Sequence, residues 1–233
     1  MLTEILKFAQ LSKAAYRKSF TRNGIKAEKY GNWLTSTTFF VYKDADTNYL
    51  IFRGSSSPRD ILIDVLAFPP VYYLRNWMHA GFALQHKSVK KKLLKVLREM
   101  DPDKELVITG HSLAAALGEI TKLLCDQQNM SFGGSPAKLC VFGKPRAFLK
   151  PGKNRFKSDH VLSVCSASDL IIRVPKYCYT VGSLNQNFLY FPNDGESALL
   201  NPDPRYVKRD WDIKDCIKDH SIDTYIERIK AIK

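Results

Sequence analysis

The apolar run Leu106-Val107-Ile108-Thr109 leads without a linker into Gly110-His111-Ser112-Leu113-Ala114, and an Ala- and Leu-rich stretch continues to Gln127. A β-branched run followed at once by strong helix formers reads as a strand that turns into a helix within about one residue. Small residues at 110 and 114 suit the close approach of strand and helix that such a turn demands. The feature makes a strand–helix unit of a mainly parallel sheet the natural context.

The rest of the chain repeats the alternation. Thr3 to Tyr16 predicts a first amphipathic helix. Trp33 to Val41 and Tyr49 to Phe52 predict strands, separated by the turn-rich Lys43-Asp44-Ala45-Asp46-Thr47-Asn48. Gln85 to Met100 predicts a lysine-rich helix with Leu93, Leu94 and Leu97 on its apolar side, ended by Asp101-Pro102-Asp103. Glu105 to Thr109, Ala137 to Phe142 and Val161 to Cys165 predict strands, and Ser112 to Gln127 and Ser221 to Ile229 predict helices. Tyr177 to Val181 and Phe188 to Phe191 predict a smaller antiparallel extension. Repeats, low-complexity tracts and Ser/Gly-rich linkers are absent from the 233 residues, so one α/β domain over 1–233 is expected.

A Gly-x-Ser-x-small turn has a chemical use. It lifts the Ser112 hydroxyl above the sheet edge and sets it at a helix N-terminus, whose N–H groups and dipole favour a developing oxyanion. A serine nucleophile needs a base, and the base needs a carboxylate to orient it. Downstream, His160 and His220 are the candidates. His160 directly precedes a strand and so falls at its N-terminal end, away from the edge where Ser112 emerges. His220 lies in the polar Lys218-Asp219-His220-Ser221 before the last helix and is preferred. Asp169 follows the strand Val161–Cys165 and falls on the same edge as Ser112. Asp194, Glu196 and Asp203 in later segments remain open, since a loop Asp often serves only its own turn.

Six ordered segments resemble the lipase class 3 family. They are Leu50 to Ser57, Met78-His79-Ala80-Gly81-Phe82, Thr109 to Ala115, Val141-Phe142-Gly143-Lys144-Pro145-Arg146, Asp169 to Pro175, and His220 to Tyr225. The resemblance implies an α/β-hydrolase fold, a mostly parallel central sheet flanked by helices with a short lid. It implies a serine carboxylic-ester hydrolase acting on lipids, of triacylglycerol lipase or phospholipase A1 type. Ser112 would be the nucleophile, His220 the base and Asp169 its orienting carboxylate. The N–H groups of Ser55 and Leu113 would form the oxyanion hole. Residues 58–68, with Ile61, Leu62, Val65 and Leu66, would be the lid; the plainer reading of that stretch is an amphipathic core helix. Ala114 and Ala115 stand where the family usually has glycines, and Leu170 and Ile172 where it often has prolines. A repacked elbow and a less rigid Asp169 loop are therefore expected. A lipid-binding module of the same fold without catalysis is the alternative.

Composition bounds partners and setting. The net charge of +13 favours anionic surfaces. Lys87, Lys90, Lys91, Lys92, Lys95 and Arg98 on one helix read first as a solvated face and second as a contact for an anionic membrane. No nucleic-acid-binding motif occurs, so specific nucleic-acid binding is not expected. No apolar run approaches the ~20 residues of a membrane span. Five cysteines without a CxxC pair, and an N-terminus that reads as a helix rather than a signal, favour the cytoplasm. Neither metal nor organic cofactor is expected.

Overall fold

The computed structural model describes residues 1–55, 69–149, 160–175, 187–191, 199–200 and 218–232. Helix α1 spans Leu2–Ala14, α2 Ala80–Arg98, α3 Leu113–Gln127 and α4 Ile222–Ala231. The strands are β1 Thr21–Arg22, β2 Ile25–Lys26, β3 Glu28–Asn32, β4 Thr37–Lys43, β5 Thr47–Phe52, β6 Pro70–Tyr73 and β7 Asn76–His79. They continue as β8 Glu105–His111, β9 Lys138–Phe142, β10 Val161–Ser166, β11 Asn187–Phe191 and β12 Leu199–Leu200.

Eight of these strands form one sheet in the order β12-β11-β10-β9-β8-β5-β4-β3. The five from β5 to β11 run parallel. Antiparallel strands close both edges. Side chains alternate across the pleat, and both faces of the central strands are apolar because helices cover both. Leu50, Phe52, Leu106, Ile108, Leu139 and Val141 share a buried cluster with α2 and α3. On the other face Ile51 and Val107 pack with Leu11 of α1. Cys140, Phe142 and Val164 pack with Ile5 of α1 and Ile222, Tyr225 and Ile226 of α4. α3 is buried at every position from Leu113 to Cys125, so its run of small residues sits directly on the sheet. Among the described residues, no helix is long and apolar enough to cross a membrane.

Three expectations change. The run from Trp33 to Val41 is not one strand. The Asn32 side chain accepts the Leu34 N–H at 2.9 Å and Ser36 takes a φ of +52°, folding 33–36 into a turn that returns β3 as β4. The lysine-rich helix begins at Ala80 rather than Gln85, because Phe82, Ala83 and His86 already bury its inner side. Phe188–Phe191 joins the main sheet: β11 pairs parallel with β10, from Leu162↔Asn187 to Ser166↔Phe191, and antiparallel only with the two-residue β12. Tyr177 to Val181 lie outside the described residues, as do 58–68 with Ile61, Leu62, Val65 and Leu66.

Candidate active site

The strand-to-helix turn forms as its residues demand. β8 ends at His111, α3 starts at Leu113, and Ser112 between them takes φ +65° and ψ −132°. A non-glycine residue in such a region costs on the order of 1–3 kcal/mol, which the surrounding structure must supply. The Ser112 N–H donates to the Phe142 carbonyl at 3.0 Å, and the α3 residues that follow are fully buried. A Cβ on Gly110 would lie 2.9 Å from the Ala114 carbonyl carbon and oxygen. Glycine at 110 is thus what lets β8 pass this close to residue 114, whose methyl group would lie 3.0 Å from such a Cβ, and the turn is intact.

Three elements then converge on Ser112. β10 delivers Asp169 just beyond its C-terminal end, and the segment before α4 delivers His220. The His220 Nε2 lies 2.8 Å from Ser112 Oγ. Its Nδ1 lies 2.8 Å from Asp169 Oδ2 and 3.0 Å from Oδ1. Because a carboxylate only accepts, Nδ1 carries the proton and Nε2 accepts from the Ser112 hydroxyl. All three residues are buried. The carboxylate is also held from two other sides: the Ile171 N–H donates to Oδ1 at 2.9 Å and the Tyr225 hydroxyl to Oδ2 at 2.7 Å. The Asp169 loop is therefore anchored by hydrogen bonds rather than by prolines at 170 and 172.

A second layer fixes His220 from behind. His111 Nε2 donates to the His220 carbonyl at 2.6 Å, and its Nδ1 accepts from the Tyr16 hydroxyl at 2.8 Å. Complete burial, followed by the neighbouring His220, holds His111 well below the ordinary histidine range, so it stays neutral. Burial pushes the Tyr225 hydroxyl well above its ordinary value, followed by the charge of Asp169, so it remains a donor. Arg228 of α4 reaches both the Ser166 hydroxyl and, at 2.9 Å, Asp219. A buried ion pair of 2.8 Å between Lys144 and Glu119 ties the segment after β9 to α3. Gly143 fills a place no other residue fits: its φ is +53°, and a Cβ there would come within 2.8 Å of Asp169 Oδ2 and 3.2 Å of the His220 ring.

The fold brings together Ser112, Asp169 and His220, the three residues expected from sequence. Ser55 follows β5 and Leu113 opens α3, both at this sheet edge. His160 sits at the start of β10, the opposite end from Asp169. Asp194, Glu196 and Asp203 fall outside the described residues. Tyr16, His111 and Tyr225 were not singled out by sequence. Tyr225 carried a usable signal, a polar-tipped ring on the buried side of the helix that follows His220. Chemically, the arrangement can take a proton from a hydroxyl and hold the resulting imidazolium against a carboxylate in a water-poor setting.

The lipase (class 3) profile matches residues 49–178, more than half of the chain. A lipase of Rhizomucor miehei is 30% identical over 107 residues, covering 43% of this chain and 29% of that one. A Rhizopus niveus lipase is 26% identical over 173 residues, covering 62% and 42%. The chain thus spans less than half of the length of these curated relatives. Among solved structures, the R. miehei triacylglyceride lipase superposes with a TM-score of 0.70 at 21% identity, covering 94% of this chain and 88% of that one. The lipase of Rhizopus microsporus var. chinensis gives 0.71 at 19% identity, covering 98% and 85%. These likenesses establish the α/β-hydrolase fold. The profile match, laid over a sheet edge where Ser112, His220 and Asp169 meet, makes this chain a member of the lipase class 3 family.

Proposed function

We propose that this chain is a serine carboxylic-ester hydrolase that acts on lipids, with Ser112 as nucleophile, His220 as base and Asp169 as its orienting carboxylate. His220 takes the Ser112 proton as Oγ attacks the ester carbonyl. The tetrahedral oxyanion is held by the N–H groups of Leu113 and Ser55. Collapse releases the alcohol, which takes its proton from His220, and leaves an acyl-enzyme. Water then attacks with the same base, and the carboxylic acid departs. The reading is supported above all by the unbroken hydrogen-bond chain from Ser112 Oγ through His220 to Asp169, at 2.8 Å in each link. Family membership supports the lipid ester as the substrate class.

The test is an ester panel run on wild type and Ser112→Ala together, with labelling by an active-site-directed fluorophosphonate. Ester turnover and a covalent adduct at Ser112, both lost in a folded Ser112→Ala protein, are expected. Wild-type turnover in Ser112→Ala overturns the assignment. A wild type that neither turns over esters nor takes the label is instead a lipid-binding module without catalysis.

A further inference from the structure

The outer side of α2 is not used by the chemistry, and its composition is unusual. Leu84, Lys87, Lys91 and Lys95 are spaced three or four apart and share one stripe of the helix surface, with Ser88 at its margin. Leu84 is 55% exposed, and Lys87, Lys91 and Lys95 are exposed. One flank of the stripe is the β3–β4 turn, which the Asn32 amide and the Thr35 hydroxyl fasten to Ser88 at 3.2 and 2.7 Å. That turn presents Trp33 at 85% and Leu34 at 72% exposure, a poor place for either side chain in water. The other flank is the β6–β7 hairpin, seated on α2 by the Tyr73 hydroxyl against His86 at 3.0 Å. Its outward pair Tyr72 and Trp77 is also exposed, with rings 5.6 Å apart. A basic stripe is thus framed on both sides by aromatic rings.

Topology aligns one flank of this surface with the site. β4 runs antiparallel to β5 and β5 parallel to β8, so the β3–β4 turn lies at the same sheet edge as Ser112. Aromatic rings settle at the headgroup level of a bilayer, and lysines near an anionic surface each add to the attraction. A second copy of this chain is a poor occupant, because like-charged stripes repel.

We propose that the α2 stripe Leu84, Lys87, Lys91 and Lys95, framed by Trp33–Leu34 and Tyr72–Trp77, is a docking surface for an anionic phospholipid bilayer. The lysines meet the headgroups, while Trp33, Leu34 and Trp77 enter the interface. The Trp33–Leu34 turn thereby anchors the lipid at the sheet edge that carries Ser112. The purpose of the surface rests on the lipid-ester reading above; its existence is tested without turnover.

The experiment is co-sedimentation of the full chain, in a Ser112→Ala background, with vesicles of phosphatidylcholine alone and of phosphatidylcholine mixed with phosphatidylglycerol. Binding is expected to favour the anionic vesicles and to weaken with salt. Neutralising Lys87, Lys91 and Lys95 to Gln should lower affinity for them about fivefold per residue and about a hundredfold together. Trp33→Ala with Leu34→Ala should weaken binding to both vesicle types. With Ser112 retained, both variants should keep wild-type thermal stability and wild-type turnover of a short soluble ester. Equal binding of both vesicle types, or undiminished binding by the lysine variant, overturns the proposal. So does retention on duplex DNA that is stronger than on vesicles and lost with the same lysines. Absent ester turnover in wild type would remove the catalytic reading and leave the vesicle result standing.

Discussion

Tyr225→Phe isolates what a single oxygen atom does for the Asp169 carboxylate. The ring is fully buried, with its centroid 6.3 Å from Phe142 and 6.1 Å from His111, so phenylalanine keeps the packing. What disappears is the 2.7 Å hydrogen bond to Asp169 Oδ2. A buried hydrogen bond to a charged acceptor is worth about 1.5–3 kcal/mol. For a chain of this size each kcal/mol moves the melting temperature by roughly 2–4 °C, so a fall of about 3–12 °C is expected. Turnover responds less. Asp169 keeps the Ile171 N–H at 2.9 Å and the His220 Nδ1 proton at 2.8 Å, so the tautomer of His220 is preserved. A loss in kcat of about tenfold or less follows, near 1.4 kcal/mol of barrier. Asp169→Asn, which reverses the tautomer preference, should cost about 10⁴-fold. Thermal unfolding by circular dichroism and kcat on a soluble ester measure the two effects. An unchanged melting temperature would show that the bond carries no stability. A kcat as low as that of Asp169→Asn would make Tyr225 a participant rather than a support.

Two further outcomes follow from the same geometry. Gly143→Ala would press a methyl group onto Asp169 and His220 from a backbone with positive φ, so a kcat loss of about 10²-fold or more is expected in a folded protein; unchanged kcat on a soluble ester would refute the close approach. Burial, followed by nearby Lys90, pushes His86 down to about 3, and His111 is also held low. Both folded values lie below the unfolded one, so the unfolded chain binds more protons in acid. Stability from these residues is complete above the ordinary histidine value of 6.5 and declines as pH falls below it. Each contributes a slope of up to about 1.4 kcal/mol per pH unit. Urea midpoints taken between neutral and mildly acidic pH should fall, and His86→Leu should make that decline shallower; an identical slope in the variant would contradict the assignment.

Much of this protein is a local property of its sequence. Continuous apolar runs such as Leu106 to Ile108 read as strands buried on both faces, because the pleat sends successive side chains to opposite sides. The position of the elbow around Ser112 is equally local, set by glycine before it and helix formers after it, although its strained backbone is held by the Phe142 carbonyl from β9. The placement of Asp169 on the edge of Ser112 followed from chain direction, since a parallel sheet puts every strand's C-terminal end on one side; His220 comes after the antiparallel β12, so its arrival there is decided by the fold. Other features depend on partners distant in sequence. β11 is short and apolar, and only its neighbour β10 decides that it runs parallel. The turn at 33–36 folds locally on Asn32, but its seat against α2 depends on Asn32 and Thr35 meeting Ser88 more than fifty residues away. Tyr16, 95 residues before His111, joins the site only because α1 packs across the sheet. Hydrogen bonds select their partners by position to within tenths of an ångström. The sequence alone determined that Ser112 and Asp169 reach one edge, and only the packed tertiary structure brought His220 to them and decided which groups touch.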